Sequence, residues 1–280
     1  MQNDKSKALI DSITASISNL AVMTDAALQS EMYLSWLRSM SRFHHYSLNN
    51  QLLICAQRPG ATRVAGYNKW PKHGRNVKKG AKGIAILAPC VSKRTVEDKA
   101  TGEKKDTMRL YGFRVTYVFD VADTEGRELP TLSYRSTEGG NELLPLLENA
   151  ASRMGIVLEY REDTGSANGW SEGGKVVVRS SLSTAERCGT LAHELAHEFL
   201  HWESNRREGM SREQRELEAE ATSYALLSQY GIEQPSQNYL ANWGANAEAI
   251  TASLHTIRAA VHHIMTAMED KETASEDLAA

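Results

Sequence analysis

The strongest constraint in this sequence is a pair of histidines four residues apart, in His193-Glu194-x-x-His197. On a helix, residues i and i+4 lie on the same face, so both imidazoles can reach one metal ion. Apolar residues recur at helical spacing through this stretch, and Ser183 with Glu186 forms a capping-box pattern before it. The segment is therefore predicted to be a helix that carries a metal site.

The spacing is typical of zinc hydrolases, in which the glutamate is the general base toward a water whose pKa the ion lowers to about 7. We predict one Zn²⁺ per chain, with another divalent metal as the alternative, and Glu194 as the catalytic base. His197-Glu198-x-x-His201 fits the same pattern shifted by one turn. We prefer the first register because a third ligand then follows a familiar pattern, and His201 can be a supporting or core residue.

A zinc ion that keeps a water needs a third protein ligand, and the next predicted helix offers carboxylates. Glu216 and Glu220 share one face of it, whereas Glu218 lies roughly on the opposite side. One of the pair can be a ligand and the other can orient a ligand histidine. A solvated acidic face is the alternative.

This pattern resembles the gluzincin metallopeptidases, whose third ligand is a glutamate on the helix after the H-E-x-x-H. The resemblance implies Glu216 as ligand and Glu220 as its supporting neighbour, and the reverse assignment stays open. Tyr224, later on the same helix, is a candidate for polarising the scissile carbonyl.

Charge divides the chain into two halves. Residues 1–135 hold 21 Lys and Arg against 12 Asp and Glu, whereas the remainder holds 11 against 23. Between residues 32 and 96 there are twelve basic residues and no acidic one. A basic half suits a polyanion such as nucleic acid.

The densest basic stretch is 66–83, where glycines and aromatic residues alternate with Lys and Arg. Such a loop can contact phosphates while aromatic rings stack on unpaired bases, which favours single-stranded DNA as the partner. A solvated basic loop anchored in the core by Trp70 is the alternative.

A second resemblance covers about residues 30–130. The chain is similar to the N-terminal domain of ArdC-type antirestriction proteins in several strings that occur in the same order: Tyr46-Ser47-x-x-Asn50-Gln51-Leu52-Leu53-Ile54, Gly66-Tyr67-x-x-Trp70, Gly74-Arg75-x-Val77-Lys78-Lys79-Gly80, Ile84-Ala85-Ile86-Leu87-Ala88-Pro89 and Val118-Phe119-Asp120-Val121-x-x-Thr124-Glu125-Gly126. In that family this domain binds single-stranded DNA and precedes a zincin-like metallopeptidase domain. The candidate DNA-binding residues are Tyr46, Asn50, Tyr67, Trp70, Arg75, Lys78, Lys79 and Lys82.

We therefore predict a two-domain α+β protein, with a basic α+β single-stranded-DNA-binding domain at 1–135, a zincin-like metallopeptidase domain at 141–270 and a disordered tail at 271–280. In the second domain, strands at 156–160 and 175–179 precede the metal helix, an order similar to that of ImmA/IrrE-type peptidases. The three cysteines are widely spaced, and no apolar run reaches the roughly 18 residues of a membrane span, so a cytoplasmic protein is expected.

The resemblance implies protection of incoming mobile DNA, such as a conjugated plasmid, from host restriction endonucleases. One alternative is a regulatory metalloprotease that cleaves a DNA-associated protein or repressor, with the first domain serving only to localise it. Another is a DNA-binding protein whose metal is structural, although an open fourth position beside a glutamate disfavours that class.

Overall fold

Seven α-helices and eight β-strands make up the described parts of the chain. The computed structural model describes residues 2–23, 26–97, 104–129, 139–203, 209–232 and 246–269. The predicted tail and residues 130–138, around the predicted domain boundary, lie outside these residues. The domain boundaries therefore remain predictions, whereas the α+β class and two regions, one rich in long strands and one rich in helices, match the prediction.

The first region begins with three helices, α1 (Gln2–Val22), α2 (Ala26–Arg42) and α3 (Leu48–Gln57). An antiparallel sheet follows in the order β1-β4-β3, formed by β1 (Val64–Gly66), β3 (Ile84–Glu97) and β4 (Lys104–Asp120). Two short strands, β2 (Arg75–Val77) and β5 (Thr124–Gly126), pair separately. For the polar segment 92–109 the sequence indicates a hairpin tip or a mobile loop, and the described parts of this segment belong to β3 and β4, which pair as far as Glu97 and Lys104.

The second region places helices around a small mixed sheet. Its elements are α4 (Gly139–Arg153), β6 (Val157–Arg161), β7 (Gly169–Ser171), β8 (Lys175–Arg179), α5 (Thr184–His197), α6 (Arg212–Gln229) and α7 (Ala247–Met268). The strand order is β6-β8-β7, in which β6 is parallel and β7 antiparallel to β8. Sequence reasoning found β6 and β8 but missed β7, because its three residues lie within a Gly- and Ser-rich loop.

One hydrophobic core joins the two regions. Trp36 and Leu37 of α2 are buried in the same cluster as Leu226 of α6 and Ile257 of α7. α2 packs on both α6 and α7, and α1 packs on α7. The N-terminal helices therefore hold the strand-rich region against the helical one.

Three predicted DNA contacts lie inside the first region. Trp70 is fully buried, and its indole Nε1 donates a hydrogen bond to the Phe119 carbonyl at 3.2 Å. Tyr46 is buried, and its hydroxyl donates to the Val64 carbonyl at 3.1 Å. These rings cannot stack on a base, so the structure corrects the prediction in favour of a core role.

Asn50 is the third corrected residue, because its amide is bound to the backbone of β3. Its Nδ2 donates to the Leu87 carbonyl at 2.9 Å, and its Oδ1 accepts from the Leu87 amide at 2.9 Å. This pairing satisfies both backbone groups of Leu87 and attaches α3 to the sheet. An amide bound in this way is not available to DNA.

We expect Trp70→Ala to lower the free energy of unfolding by about 3–5 kcal/mol, because it leaves a large cavity in a close-packed core. Tyr67→Ala, at a residue 60% exposed, is the matched control and should change stability by no more than about 0.5 kcal/mol. Denaturant titration of the full chain measures both. Unchanged stability in Trp70→Ala, with weakened DNA binding, would restore the stacking role.

Candidate metal centre and nucleic-acid surface

Helix α5 carries the predicted metal ligands on a firmly fixed element. Ser183 caps it by accepting a hydrogen bond from the Glu186 amide, and the Glu186 carboxylate accepts from the Ser183 amide at 2.9 Å. Leu191 and Leu195 are fully buried on the core side of the helix. This packing sets the rotation of α5 and hence the direction of its histidines.

Three donor atoms converge at one point between α5 and α6. The Nε2 atoms of His193 and His197 are 3.0 Å apart, and Glu216 Oε2 lies 3.3 Å from the first and 3.5 Å from the second. Ligand atoms of a tetrahedral zinc ion with bonds of about 2.0–2.1 Å lie about 3.3 Å apart. The spacing and chemistry of these three side chains therefore fit a single divalent cation.

Glu216 and Glu220 have different positions relative to this cluster. Glu216 contributes a carboxylate oxygen directly. Glu220, one turn later on α6, acts on His193 through its charge, which contributes to raising the pKa of that imidazole. The arrangement favours Glu216 as the third ligand and Glu220 as its neighbour.

The charges within the cluster suit a cation. Hydrogen bonds from His193 and His197 hold the pKa of the Glu216 carboxyl well below its usual value. Burial lowers the pKa of His197. Burial also acts to lower the pKa of His193, but Glu216 and Glu194 outweigh it, so the net shift is upward. An ionised carboxylate and an imidazole lone pair are the forms that bind a metal.

Glu194 is buried beside the cluster. Burial raises the pKa of its carboxyl, against the opposing effects of the His193 charge and a hydrogen bond with Ser171. Ser171 ends β7, an edge strand of the sheet that packs on α5, so Glu194 lies against this strand. A carboxylate with a raised pKa is better suited to accept a proton near neutral pH.

The shifted register is disfavoured by the contacts of Glu198. Its two carboxylate oxygens accept hydrogen bonds from the amides of Gly173 at 2.8 Å and Gly174 at 2.6 Å. Glu198 therefore caps the turn between β7 and β8, and both of its carboxylate oxygens are engaged in these hydrogen bonds. This observation favours the register in which His193, Glu194 and His197 form the site.

His201 supports His197 instead of joining the cluster. α5 continues as a π-helix over Glu198–Glu203, a form that often occurs at functional sites. The Nδ1 atoms of His201 and His197 are 3.0 Å apart, and His201 Nε2 lies 3.5 Å from Glu218 Oε2. If His197 Nδ1 donates this bond, its Nε2 keeps a lone pair for the metal and the proton of His201 Nε2 faces Glu218.

Glu218 was missed by sequence reasoning. Its position on the helix is away from the face that carries Glu216 and Glu220, so Glu218 does not belong to the metal cluster. The same position nevertheless allows a buried contact with His201. Glu218 is only 2% exposed and lies between the buried residues Leu217 and Ala219. Those flanking apolar residues were the available signal that this carboxylate faces the interior.

Tyr224 lies at the contact between the two regions. Its hydroxyl accepts a hydrogen bond from Arg38 Nη1 of α2 at 2.9 Å. Eight residues separate it from Glu216, a rise of about 12 Å along the helix. This distance and the bond to Arg38 disfavour a role at the metal, and they give Tyr224 a role in joining α6 to α2.

Of the remaining DNA-binding candidates, some form hydrogen bonds within the protein and others are exposed without an ion pair among the described residues. Arg75 binds β5 through Thr124, donating to its Oγ1 at 2.7 Å and its carbonyl at 3.0 Å, so the guanidinium joins two strands. Lys78 is exposed and donates to the Ala122 carbonyl at 3.0 Å. Lys79 and Lys82 are exposed and form no ion pair with any residue that the structure describes.

Exposed aromatic residues of β4 form a surface that sequence reasoning missed. Phe113 and Tyr117 are 41% and 50% exposed, and their even spacing places them on the same face of the strand as Phe119. Tyr67 packs edge-on against Phe119 with ring centroids 6.0 Å apart. An open pocket of about 440 Å³ lies here, and Lys69 also lines it. We call Tyr67, Phe113, Tyr117 and Phe119 the aromatic face.

Two family models match the chain in the order that the sequence predicted. The N-terminal domain of anti-restriction factor ArdC matches residues 3–119, and the IrrE N-terminal-like domain, a peptidase family, matches residues 151–261. The chain has an ArdC-type N-terminal domain followed by an IrrE-like domain. The first model covers the aromatic face, and the second covers the whole metal cluster.

Individual relatives are more distant. The uncharacterized protein pXO2-81 of Bacillus anthracis is 26% identical over 256 residues, which include 75% of this chain but only 43% of that protein. The chain thus spans less than half of that relative. Two crystal structures of the antirestriction ArdC protein from the R388 plasmid also match. The metal-free structure matches with a TM-score of 0.43 and 20% identity, and the match covers 80% of this chain and 82% of that one. The Mn(II)-bound structure matches with a TM-score of 0.42 and 17% identity, and the match covers 81% of this chain and 86% of that one.

Within the described ranges, no helix combines the length and the apolar character that crossing a bilayer requires.

The purified chain should bind zinc at this cluster. His193→Ala should lose the zinc bound there while Glu194→Gln keeps it, because a ligand is removed in one variant and only a base in the other. Glu216→Ala should lose more metal than Glu220→Ala. His201→Ala should weaken binding by about 10–100-fold, as removal of a supporting residue does. Equilibrium dialysis with metal analysis measures all five variants. Unchanged zinc affinity in His193→Ala would exclude this cluster.

Proposed function

We propose that this chain is an antirestriction protein that binds single-stranded DNA, protects incoming plasmid DNA from host restriction endonucleases and carries a zinc metallopeptidase site. The observation that carries the proposal is the order of the two matched domains, the first being that of anti-restriction factor ArdC. Both matched parts contain the residues that the proposal requires, exposed aromatic rings in the first and the metal cluster in the second.

The proposed peptidase site consists of His193, His197 and Glu216 as ligands and Glu194 as base. A zinc ion held there would polarise a carbonyl and lower the pKa of a water to about 7. Glu194 then takes a proton from the attacking water on its carboxylate and passes it to the leaving amine nitrogen. The carboxylate gains one proton and gives up one proton, so the base is regenerated in each cycle.

A peptide substrate has a natural docking element in β7. Among the strands that the structure describes, β7 lies at one end of its sheet and pairs with β8 on one side only. An extended peptide can add to such an edge through backbone hydrogen bonds. Ser171, which belongs to β7, contacts Glu194, so a peptide paired along β7 would pass close to the base.

The proposed DNA surface is the aromatic face together with the exposed lysines of the loop before β3. Rings that are half exposed on a strand can stack on successive unpaired bases, and stacking contributes about 1–3 kcal/mol per base. Lys69 lines the pocket beside Tyr67 and Tyr117. Duplex DNA keeps its bases stacked internally, so a surface of this kind favours single strands.

We expect Tyr67→Ala and Tyr117→Ala each to lower affinity for single-stranded DNA by about 1–3 kcal/mol without changing the salt dependence. Lys79→Ala and Lys82→Ala should each reduce the slope of log affinity against log salt by about 0.7, because each removes a phosphate contact. Fluorescence anisotropy of the full chain across a salt series measures both effects.

The exposed Lys7 of α1 provides the matched control, and Lys7→Ala should leave affinity and slope unchanged. Equal affinity for single strands and duplex, or affinity that does not respond to salt, would contradict the proposal. The full chain is required because α2 is packed on α6 and α7.

The second candidate function is a regulatory metalloprotease that cleaves a DNA-associated protein. The buried base beside an edge strand favours it. The two functions differ in what protection against restriction requires, so a variant that lacks only the base separates them.

In cells that carry a restriction system, we expect Glu194→Gln to retain protection of incoming DNA, because glutamine preserves the size of the side chain and leaves the DNA surface unchanged. A Tyr67→Ala/Tyr117→Ala double variant should lose protection. Transfer efficiency of an unmodified plasmid measures both. Loss of protection in Glu194→Gln would instead identify proteolysis as the mechanism and favour the second function.

A further inference from the structure

A second group of metal-binding side chains lies far in sequence from the first. His44 and His45 follow α2, and Glu269 follows α7. Glu269 Oε1 lies 2.6 Å from His44 Nε2 and 3.3 Å from His45 Nε2. Two imidazoles and a carboxylate are the same donor types as those of His193, His197 and Glu216.

The proton positions at His44 are decided by its other nitrogen. His44 Nδ1 lies 2.9 Å from the Ser41 carbonyl oxygen, which can only accept, so Nδ1 carries the proton. In the neutral ring, Nε2 then has a lone pair, and this lone pair faces the carboxylate of Glu269 at 2.6 Å. Two acceptors held together in this way require a positive charge: a proton on His44, which the distance of 2.6 Å fits, or a bound cation, which would separate these two atoms to about 3.3 Å.

The surroundings favour a bound cation. An imidazole that ligates a metal almost always donates its other N–H to a carbonyl or carboxylate, as His44 does to Ser41. Glu269 Oε2 is buried and accepts no hydrogen bond within the described residues, so this oxygen is available to a further partner. The rings of His44 and His45 are adjacent, with centroids 3.9 Å apart.

A third imidazole lies beside the group. His262 of α7 has its Nδ1 2.8 Å from the His44 carbonyl, so the same argument leaves a lone pair on its Nε2. Its ring centroid is 6.3 Å from that of His44 and 6.1 Å from that of His45. Arg258 of α7 donates to the carbonyls of His44 and Tyr46.

We propose that His44, His45 and Glu269 bind a second divalent cation of the zinc class, with His262 as the nearest candidate for a fourth ligand. A structural zinc is usually coordinated by four protein side chains, and among the residues that the structure describes no further glutamate belongs to this group as a candidate base. The ion would join the turn after α2 to the end of α7, and therefore the first region to the second.

The test counts zinc in the full chain after loading with excess zinc and removal of unbound metal. We expect about two equivalents in the wild type and about one in Glu269→Gln, because a neutral amide is a weak zinc ligand. Glutamine keeps the size of the side chain, and its amide can donate a hydrogen bond to the His44 lone pair. His255→Ala, at an exposed histidine of α7, is the matched control and should retain both equivalents.

The zinc counts differ according to whether this second site or the peptidase site fails to bind zinc. The His193→Ala variant should retain about one equivalent of zinc, and the double variant His193→Ala/Glu269→Gln should retain none. Equal zinc content in wild type and Glu269→Gln would overturn the second site and leave a His44–Glu269 ion pair, whatever the result for His193→Ala. If Glu269→Gln fails to fold, His45→Asn replaces it, and an unchanged count in that variant overturns the proposal equally.

Discussion

The close packing of α5 against α6 is the constraint on which the metal centre depends. Alanines occupy the buried positions beside the ligands, Ala192 and Ala196 on α5 and Ala219 and Ala221 on α6. Interhelical distance is set by the side chains at the contact, so small residues allow a close approach. Only a close approach lets a carboxylate of one helix come within 3.3 Å of an imidazole of the other.

The same packing explains why a carboxylate can be buried behind the metal ligands. A buried ionised group is costly unless charged or polar partners compensate it. Glu218 is placed opposite His201, which in turn contacts His197, and the π-helical turn after α5 brings His201 into this line. Glu218, His201 and His197 thus form a row that runs from the interior to the proposed cation. These contacts fix the orientation of the His197 ring.

Local spacing was sufficient to predict the helices α5 and α6 and the convergence of His193 and His197, because positions i and i+4 share one face of a helix wherever that helix packs. It was insufficient for Tyr46 and Trp70, whose exposure depends on distant strands that cover them. Aromatic residues beside lysines give the same sequence pattern whether they stack on DNA or fill a core. The exposed Phe113 and Tyr117 lie on β4, outside residues 46–82, which hold all the DNA-binding candidates of the sequence.

Helix α6 is the element through which the two regions meet. It presents Glu216 to the metal cluster and, two turns later, Tyr224 to Arg38 of α2. α2 also contributes Trp36 and Leu37 to the core that holds α6 in place. The position of Glu216, the proposed third ligand, therefore depends on helices encoded in the basic half of the chain. The two proposed activities rest on one shared core, so loss of the α2–α6 contact would weaken the metal centre as well as the attachment of the DNA surface.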